Sequence, residues 1–289
     1  MSPAVRLAWE VGTQLGEGPV WCSHEQALWF VDIKRGAIHR HLPATDACET
    51  FPVGGMPSFI VPVDGGGMIV GSGQGIFRFE QGDIGERIAV IDMPAHNRTN
   101  DATVDALGRL WLGTMDDDEV LETGALYCLD RGVLHAMPAR AIVTNGPAVT
   151  ADAGTIYFVD SAERRIWRYA IVDGPSIAKP ELFLQLAQAD GHPDGVVLDS
   201  EDCLWVALWD GWAVRRYAPD GTLLLQIDFP CARVTKIAFG GPDLRTAYVT
   251  TARTGLDDAQ LAQQPLAGGL FAFDAPVPGR PLPQYRCEA

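Results

Sequence analysis

Apolar residues in this chain arrive in short runs of about four to seven, each closed by a turn rich in Gly, Asp, Asn or Pro. The stretch 192–209, H-P-D-G-V-V-L-D-S-E-D-C-L-W-V-A-L-W, is the clearest case. An acid, Asp194, precedes a glycine; 196–198 are apolar, 199–202 form a polar turn, and 204–209 are apolar again. The pattern predicts a strand, a hairpin and a strand with a carboxylate at the entrance. The same organisation recurs in G-E-G-P-V-W-C with A-L-W-F-V-D-I, in M-P-S-F-I-V-P-V with M-I-V-G-S, and in N-R-T-N-D-A-T-V with R-L-W-L-G-T-M. It recurs again in T-N-G-P-A-V-T-A with T-I-Y-F-V-D-S and in V-T-K-I-A-F with T-A-Y-V-T-T-A, which makes six units.

Trp29, Ile69, Trp111, Tyr157, Trp205 and Tyr248 occupy equivalent second-strand positions, with spacings of 40, 42, 46, 48 and 43 residues. A period near 40–50 with three or four strands per unit is that of a β-propeller blade. The expectation is therefore an all-β protein, a six-bladed β-propeller forming one domain over residues 1–289. The only helical signal is a turn or two around 257–264, inside the last loop. An open ring would expose strand edges. The sixth unit runs out after 270–273 into P-V-P-G-R-P-L-P, and the spare strand 5–11 at the N-terminus is predicted to close the ring.

Composition narrows the class of partner. The 31 Gly and 20 Pro are spread along all 289 residues, as punctuation between strands rather than as a linker. A formal net charge of -15 with no basic cluster opposes phosphate backbones, so no nucleic-acid partner is expected. No apolar run approaches the roughly 18 residues of a membrane span, and the N-terminus lacks the pattern of a secretion signal. A cytoplasmic monomer without membrane contact is expected. Six scattered cysteines, with no C-x-x-C pair, are expected to be thiols.

In a propeller the first strand of each blade lines the central channel, so equal positions in the repeat predict neighbours in space. Glu17 lies 12 residues before Trp29, Asn100 11 before Trp111, Asn145 12 before Tyr157 and Asp194 11 before Trp205. Four oxygen-bearing side chains should therefore meet at one mouth of the channel. Two carboxylates there would raise each other's pKa unless a cation neutralised them. Each residue taken singly could merely cap a turn; the shared interval favours a common site. G-S-G-Q-G at 71–75 joins two strands and reads as a turn; there is no G-x-S-x-G, and H-E at 24–25 is not completed to a zinc motif. His96 and His192 are expected beside the site rather than in it, and Trp209 and Trp212 as packing or an apolar wall.

L-G-E-G-P-V-W at 15–21, N-R-T-N-D at 97–101, G-R-L-W-L-G-T-M at 108–115, T-N-G-P-A at 144–148, P-D-G at 193–195, T-A-R-T-G-L-D at 251–257 and A-G-G-L-F at 267–271 carry a resemblance. Together they resemble the regucalcin and gluconolactonase family of six-bladed propeller sugar lactonases, with bacterial xylonolactonases most similar. The resemblance implies that Glu17, Asn145 and Asp194 bind one divalent cation and that Arg98 and Asn100 hold a substrate. It also implies an acid contacting sugar hydroxyls shortly after G-T-M, which falls on Asp118, with Asp117 and Glu119 as alternatives in the same acidic run. The implied activity is metal-dependent hydrolysis of an aldonolactone such as xylonolactone or gluconolactone, with Asp194 also taking a proton from the attacking water. Oxygen ligands suit Ca, Mg or Mn, and also admit Zn or Fe(II). Hydrolysis of phosphotriesters or other lactones, and a non-catalytic metal-binding regulatory propeller, are the alternative functions.

Overall fold

The computed structural model describes residues 3–287, so positions 1, 2, 288 and 289 of the expected 1–289 span lie outside the described residues. Six antiparallel sheets stand around one axis. Blade 1 is Gly16–Cys22, Ala27–Asp32, Ala37–Leu42 and Ala47–Pro52; blade 2 is Pro57–Pro62, Met68–Ser72, Gly75–Glu80 and Asp83–Val90. Blade 3 is Asn97–Val104, Leu110–Asp116, Gly124–Asp130 and Val133–Ala141. In blade 4, Thr144–Val149, Thr155–Asp160 and Arg165–Val172 are followed by two short strands, Ser176–Ile177 and Glu181–Gln185, both paired with Arg165–Val172. Blade 5 is His192–Leu198, Leu204–Trp209, Ala213–Tyr217 and Leu223–Asp228. Blade 6 takes Val234–Gly240, Thr246–Thr251 and Leu270–Asp274, and its outermost strand is Arg6–Trp9 from the other end of the chain.

The N-terminal strand thus closes the ring as expected. Arg6–Trp9 runs antiparallel to Leu270–Asp274, and Trp9 also sets its ring edge-on against Phe30 (5.7 Å) and His39 (5.3 Å) of blade 1. Thr13 ties the following turn to Thr251 O and Gly268 O, each at 2.9 Å. Each first strand packs between the first strands of its neighbours, blade 6 against blade 1 included.

Burial follows the blade outward. The second strands, such as Ala27–Asp32, are buried along their length, whereas outermost strands such as Ala47–Pro52 are mostly exposed. The core therefore lies between blades, where a side chain can be covered from both sheet faces. Trp205 of blade 5 packs on Phe239 and Phe273 of blade 6, with ring centroids 5.7 and 5.8 Å apart. Polar groups inside this core are paired. Asp105 accepts from Trp111 Nε1 (2.8 Å) and Arg109 Nε (2.7 Å), and Asp199 accepts from Trp205 Nε1 (2.8 Å) and Arg216 Nε (2.7 Å). The same latch holds the first hairpin of blade 3 and of blade 5.

The Pro-rich tail does not trail away. Gly279 pairs with Asp199, Arg280 binds Asp202 at 2.6 Å, and Tyr285 pairs with Val63, so the tail crosses the far mouth of the channel from blade 5 to blade 2. Residues 280–283 cover a mostly apolar cavity of ≈ 330 Å³ at that end. The last loop carries helix α1, Asp258–Gln263, started by a reciprocal cap. Asp257 accepts from Gln260 N (2.8 Å), and Gln260 accepts from Asp257 N (3.0 Å). Among the described residues no helix is long and apolar enough to cross a membrane.

Candidate functional site

At the near mouth of the channel lies a cavity of ≈ 520 Å³. Its wall includes Glu17, Arg98, Asn100, Asn145, Asp194 and Glu119. Five of the six side chains singled out from the sequence are therefore together, drawn from blades 1, 3, 4 and 5. The sixth, Asp118, is exposed, with its backbone N–H donating to Asp116 Oδ1 (3.3 Å). Of its neighbours, Glu119 joins the wall and Asp117 receives Arg98 Nε at 2.6 Å and Lys34 Nζ at 2.8 Å.

A break in each blade's first hairpin presents these residues. Pairing between first and second strands slips between Glu17 and Val20, Thr99 and Ala102, Asn145 and Ala148, and Pro193 and Val196. A bulge adds unpaired residues on one strand and re-aims their side chains. Gly18 supplies the required left-handed backbone at φ 52°, and a Cβ there would sit 3.2 Å from Phe59 Cα of blade 2. The bulge in blade 3 also lets two consecutive residues reach different blades: Asn100 bonds to blade 4 and Asp101 to blade 6.

One hydrogen-bonded chain runs through the site. Arg98 Nη1 donates to Asn100 Oδ1 (2.7 Å), and Asn100 Nδ2 donates to Asn145 Oδ1 (3.0 Å) and Thr144 O (2.7 Å). Asn145 Nδ2 donates to Ser161 Oγ (2.9 Å), and Ser161 Oγ donates to Pro193 O (2.6 Å) beside Asp194. The amide of Asn145 is thereby fixed with its oxygen toward Asn100 and with acceptor capacity left over. His192, on the cavity wall, lies with Nδ1 2.9 Å from Ser161 O and Nε2 2.9 Å from Arg164 Nη2. A carbonyl only accepts and a guanidinium only donates, so His192 is the neutral tautomer with its proton on Nδ1. Trp209 forms an apolar wall, with the Arg233 guanidinium 4.7 Å above its ring.

The electrostatics are those of crowded anions. Burial, followed by the charge of Asp101, raises the Glu17 carboxyl to about 8. Burial and the charges of Glu17 and Asp101 raise Asp194 well above the ordinary carboxylate range. Burial also raises Asp101, with Lys236 opposing it. Asp117 behaves oppositely: burial works against its ionised form, but hydrogen bonds from Lys34 and Arg98 outweigh it and hold its carboxyl low. Glu17 and Asp194 are each 6 % exposed, and neither makes an ion pair within the described residues. Glu17 accepts only the backbone N–H of Gly18, at 2.9 Å. Two desolvated carboxylates and an amide oxygen facing one cavity fit a hard divalent cation, which would remove the repulsion that lifts both pKa values.

Three contributors escaped the sequence reading. Ser161 orients Asn145, and no interval marks it. Asp101 hides beside Asn100, since an unbroken strand would turn adjacent residues to opposite faces. Lys236 lies 12 residues before Tyr248, the same interval as Glu17 and Asn145 from their own markers, but a search for oxygen donors passes over it.

The family described as SMP-30/Gluconolactonase/LRE-like region matches residues 15–253. A 6-deoxy-6-sulfogluconolactonase of Pseudomonas putida is 35% identical over 275 residues, covering 94% of each chain. A pentonolactonase of Haloferax volcanii is 34% identical over 282 residues, again covering 94% of each. The crystal structure of a calcium-binding protein, regucalcin, from Agrobacterium tumefaciens superposes with a TM-score of 0.93 at 29% identity, covering 98% of both chains. With its six blades, its channel-mouth site and a family match over most of its length, this chain belongs to the SMP-30/gluconolactonase/LRE-like family.

Proposed function

We propose that this protein is a metal-dependent lactonase that opens an aldonolactone, a pentono- or hexonolactone, to the sugar acid, acting as a one-domain monomer. The observation that carries the reading is the convergence of Glu17, Asn145 and Asp194 with Arg98 in one cavity, in a chain whose relatives are named sugar lactonases. Glu17, Asn145 and Asp194 would hold the cation through oxygen. When bound, it would polarise the lactone carbonyl and stabilise negative charge on the carbonyl oxygen.

The remaining work falls to the chain's own groups. Asp194 faces the cavity without an ion-pair partner and takes the proton of the attacking water. Arg98, locked by Asp117, Thr99 O and Asn100, keeps Nη2 uncommitted among the described residues and offers it to a sugar oxygen. Glu119 on the wall is the acid best placed for the sugar hydroxyls, with Asp117 holding Arg98. Trp209 and Met115 cover the less polar face of the ring.

The test is acid release from a panel of pentono- and hexonolactones in a pH-stat. Asp194→Asn removes the base with little change of shape and should lower kcat by at least about 100-fold, the scale of general-base catalysis. Turnover near wild type in that variant refutes the assignment of the base, and an inactive wild-type protein across the panel refutes the lactonase reading.

A further inference from the structure

Each blade places a buried polar residue 11 or 12 positions before its second-strand marker: Glu17, Ser58, Asn100, Asn145, Asp194 and, in blade 6, Lys236. Lys236 is the cation of this ring, and it is 6 % exposed. Its stem runs against blade 5, where a Cβ on Gly195 would lie 2.5 Å from both Lys236 Cβ and Cγ. Gly195 therefore follows Asp194 because the lysine needs that space. The ammonium reaches across to blade 3, donating to Asp101 Oδ1 and, at 3.3 Å, to Ala102 O. Asp101 also receives Ala102 N at 2.7 Å on Oδ1, while its Oδ2 is buried with no partner among the described residues. Lys236 also lines the cavity at the far end of the channel, so this pair forms the floor between the two cavities.

We propose that Lys236 and Asp101 are positioning residues that set the charge of the cation site above them. This inference rests on the reading of Glu17, Asn145 and Asp194 as ligands. Ionised Glu17, Asp101 and Asp194 against one ammonium leave two negative charges, which one divalent cation cancels. Asp101 occupies the ammonium and keeps it from pairing with Glu17 or Asp194 in competition with the metal. Arg98 does not alter the balance, because Asp117 is its own counter-charge.

The probe is Mn²⁺ added to chelator-stripped protein, with binding followed by calorimetry in the wild type, Asp101→Asn, Lys236→Met and the double variant. All substitutions are close in size to the native side chains. Asp101→Asn frees the ammonium beside the ligands and should weaken Mn²⁺ binding by at least about tenfold. Adding Lys236→Met to that variant should restore affinity to within about threefold of wild type, a recovery that a packing role cannot produce. Lys236→Met alone should bind Mn²⁺ no more weakly than wild type, which keeps the inference testable if Asp101→Asn fails to fold. Wild-type affinity in Asp101→Asn, or a double variant as weak as that single one, overturns the charge-setting role. A wild-type protein that binds no divalent cation overturns instead the ligand assignment on which it rests.

Discussion

Asn145 can present its oxygen to a cation only while the other end of its amide is held. Ser161 provides that hold, accepting from Asn145 Nδ2 and passing its own proton to Pro193 O. Removing the hydroxyl leaves the amide free to turn, so Ser161→Ala should weaken divalent-cation binding by about 1 kcal/mol, roughly fivefold, without lowering Tm appreciably. Unchanged affinity by metal titration would count against this positioning. At this scale the sequence was legible where chemistry repeated at a fixed interval, as for Glu17, Asn145 and Asp194. It was illegible where a neighbour in space has no interval, as for Ser161, or where a bulge breaks the alternation, as for Asp101. Asp118 was reached by an ungapped count along the acidic run, but the turn after Asp116 puts Glu119 on the cavity wall and leaves Asp118 in solvent.

At the scale of elements, the closing strand does more than pair. Trp9 abuts His39 on the third strand of blade 1, and the imidazole is wedged between Trp9 and Phe30, 4.8 Å from the latter. Burial pushes His39 down to about 4, against about 6.5 for the model side chain. A base with a depressed folded pKa binds its proton more readily in the unfolded chain, so stability is full above about 6.5 and falls as pH drops toward about 4. The loss amounts to about 3 kcal/mol at most. Urea unfolding at pH 7 and pH 4.5 should show a smaller drop in His39→Phe than in wild type; equal drops in both would remove His39 as the source. The closure itself was readable from the sequence, because 5–11 is a strand without a blade and the sixth unit lacks one. The path of the Pro-rich tail was not, since proline confers no periodicity and the tail's partners, Asp199 and Val63, lie 80 residues or more upstream of Gly279 and Tyr285.

For the whole molecule, the ring converts six local hairpins into one site. No blade holds more than one of Glu17, Asn145 and Asp194, so a functional site exists only when blades 1, 4 and 5 are assembled in order. The fold explains why residues 177 and 49 positions upstream of Asp194 become its neighbours, and why the cavity sits at one mouth while the tail covers the other. A net charge of -15 adds a general attraction for cations, which only the buried ring can make specific. The most direct test of the account is the rate of acid release from a sugar lactone by chelator-stripped protein as Mn²⁺ is added back. The account predicts a rate at the uncatalysed level without metal, rising linearly and levelling at one equivalent. Full activity in the stripped protein, or no recovery on saturation with any of Ca, Mg, Mn, Zn or Fe(II), would contradict it.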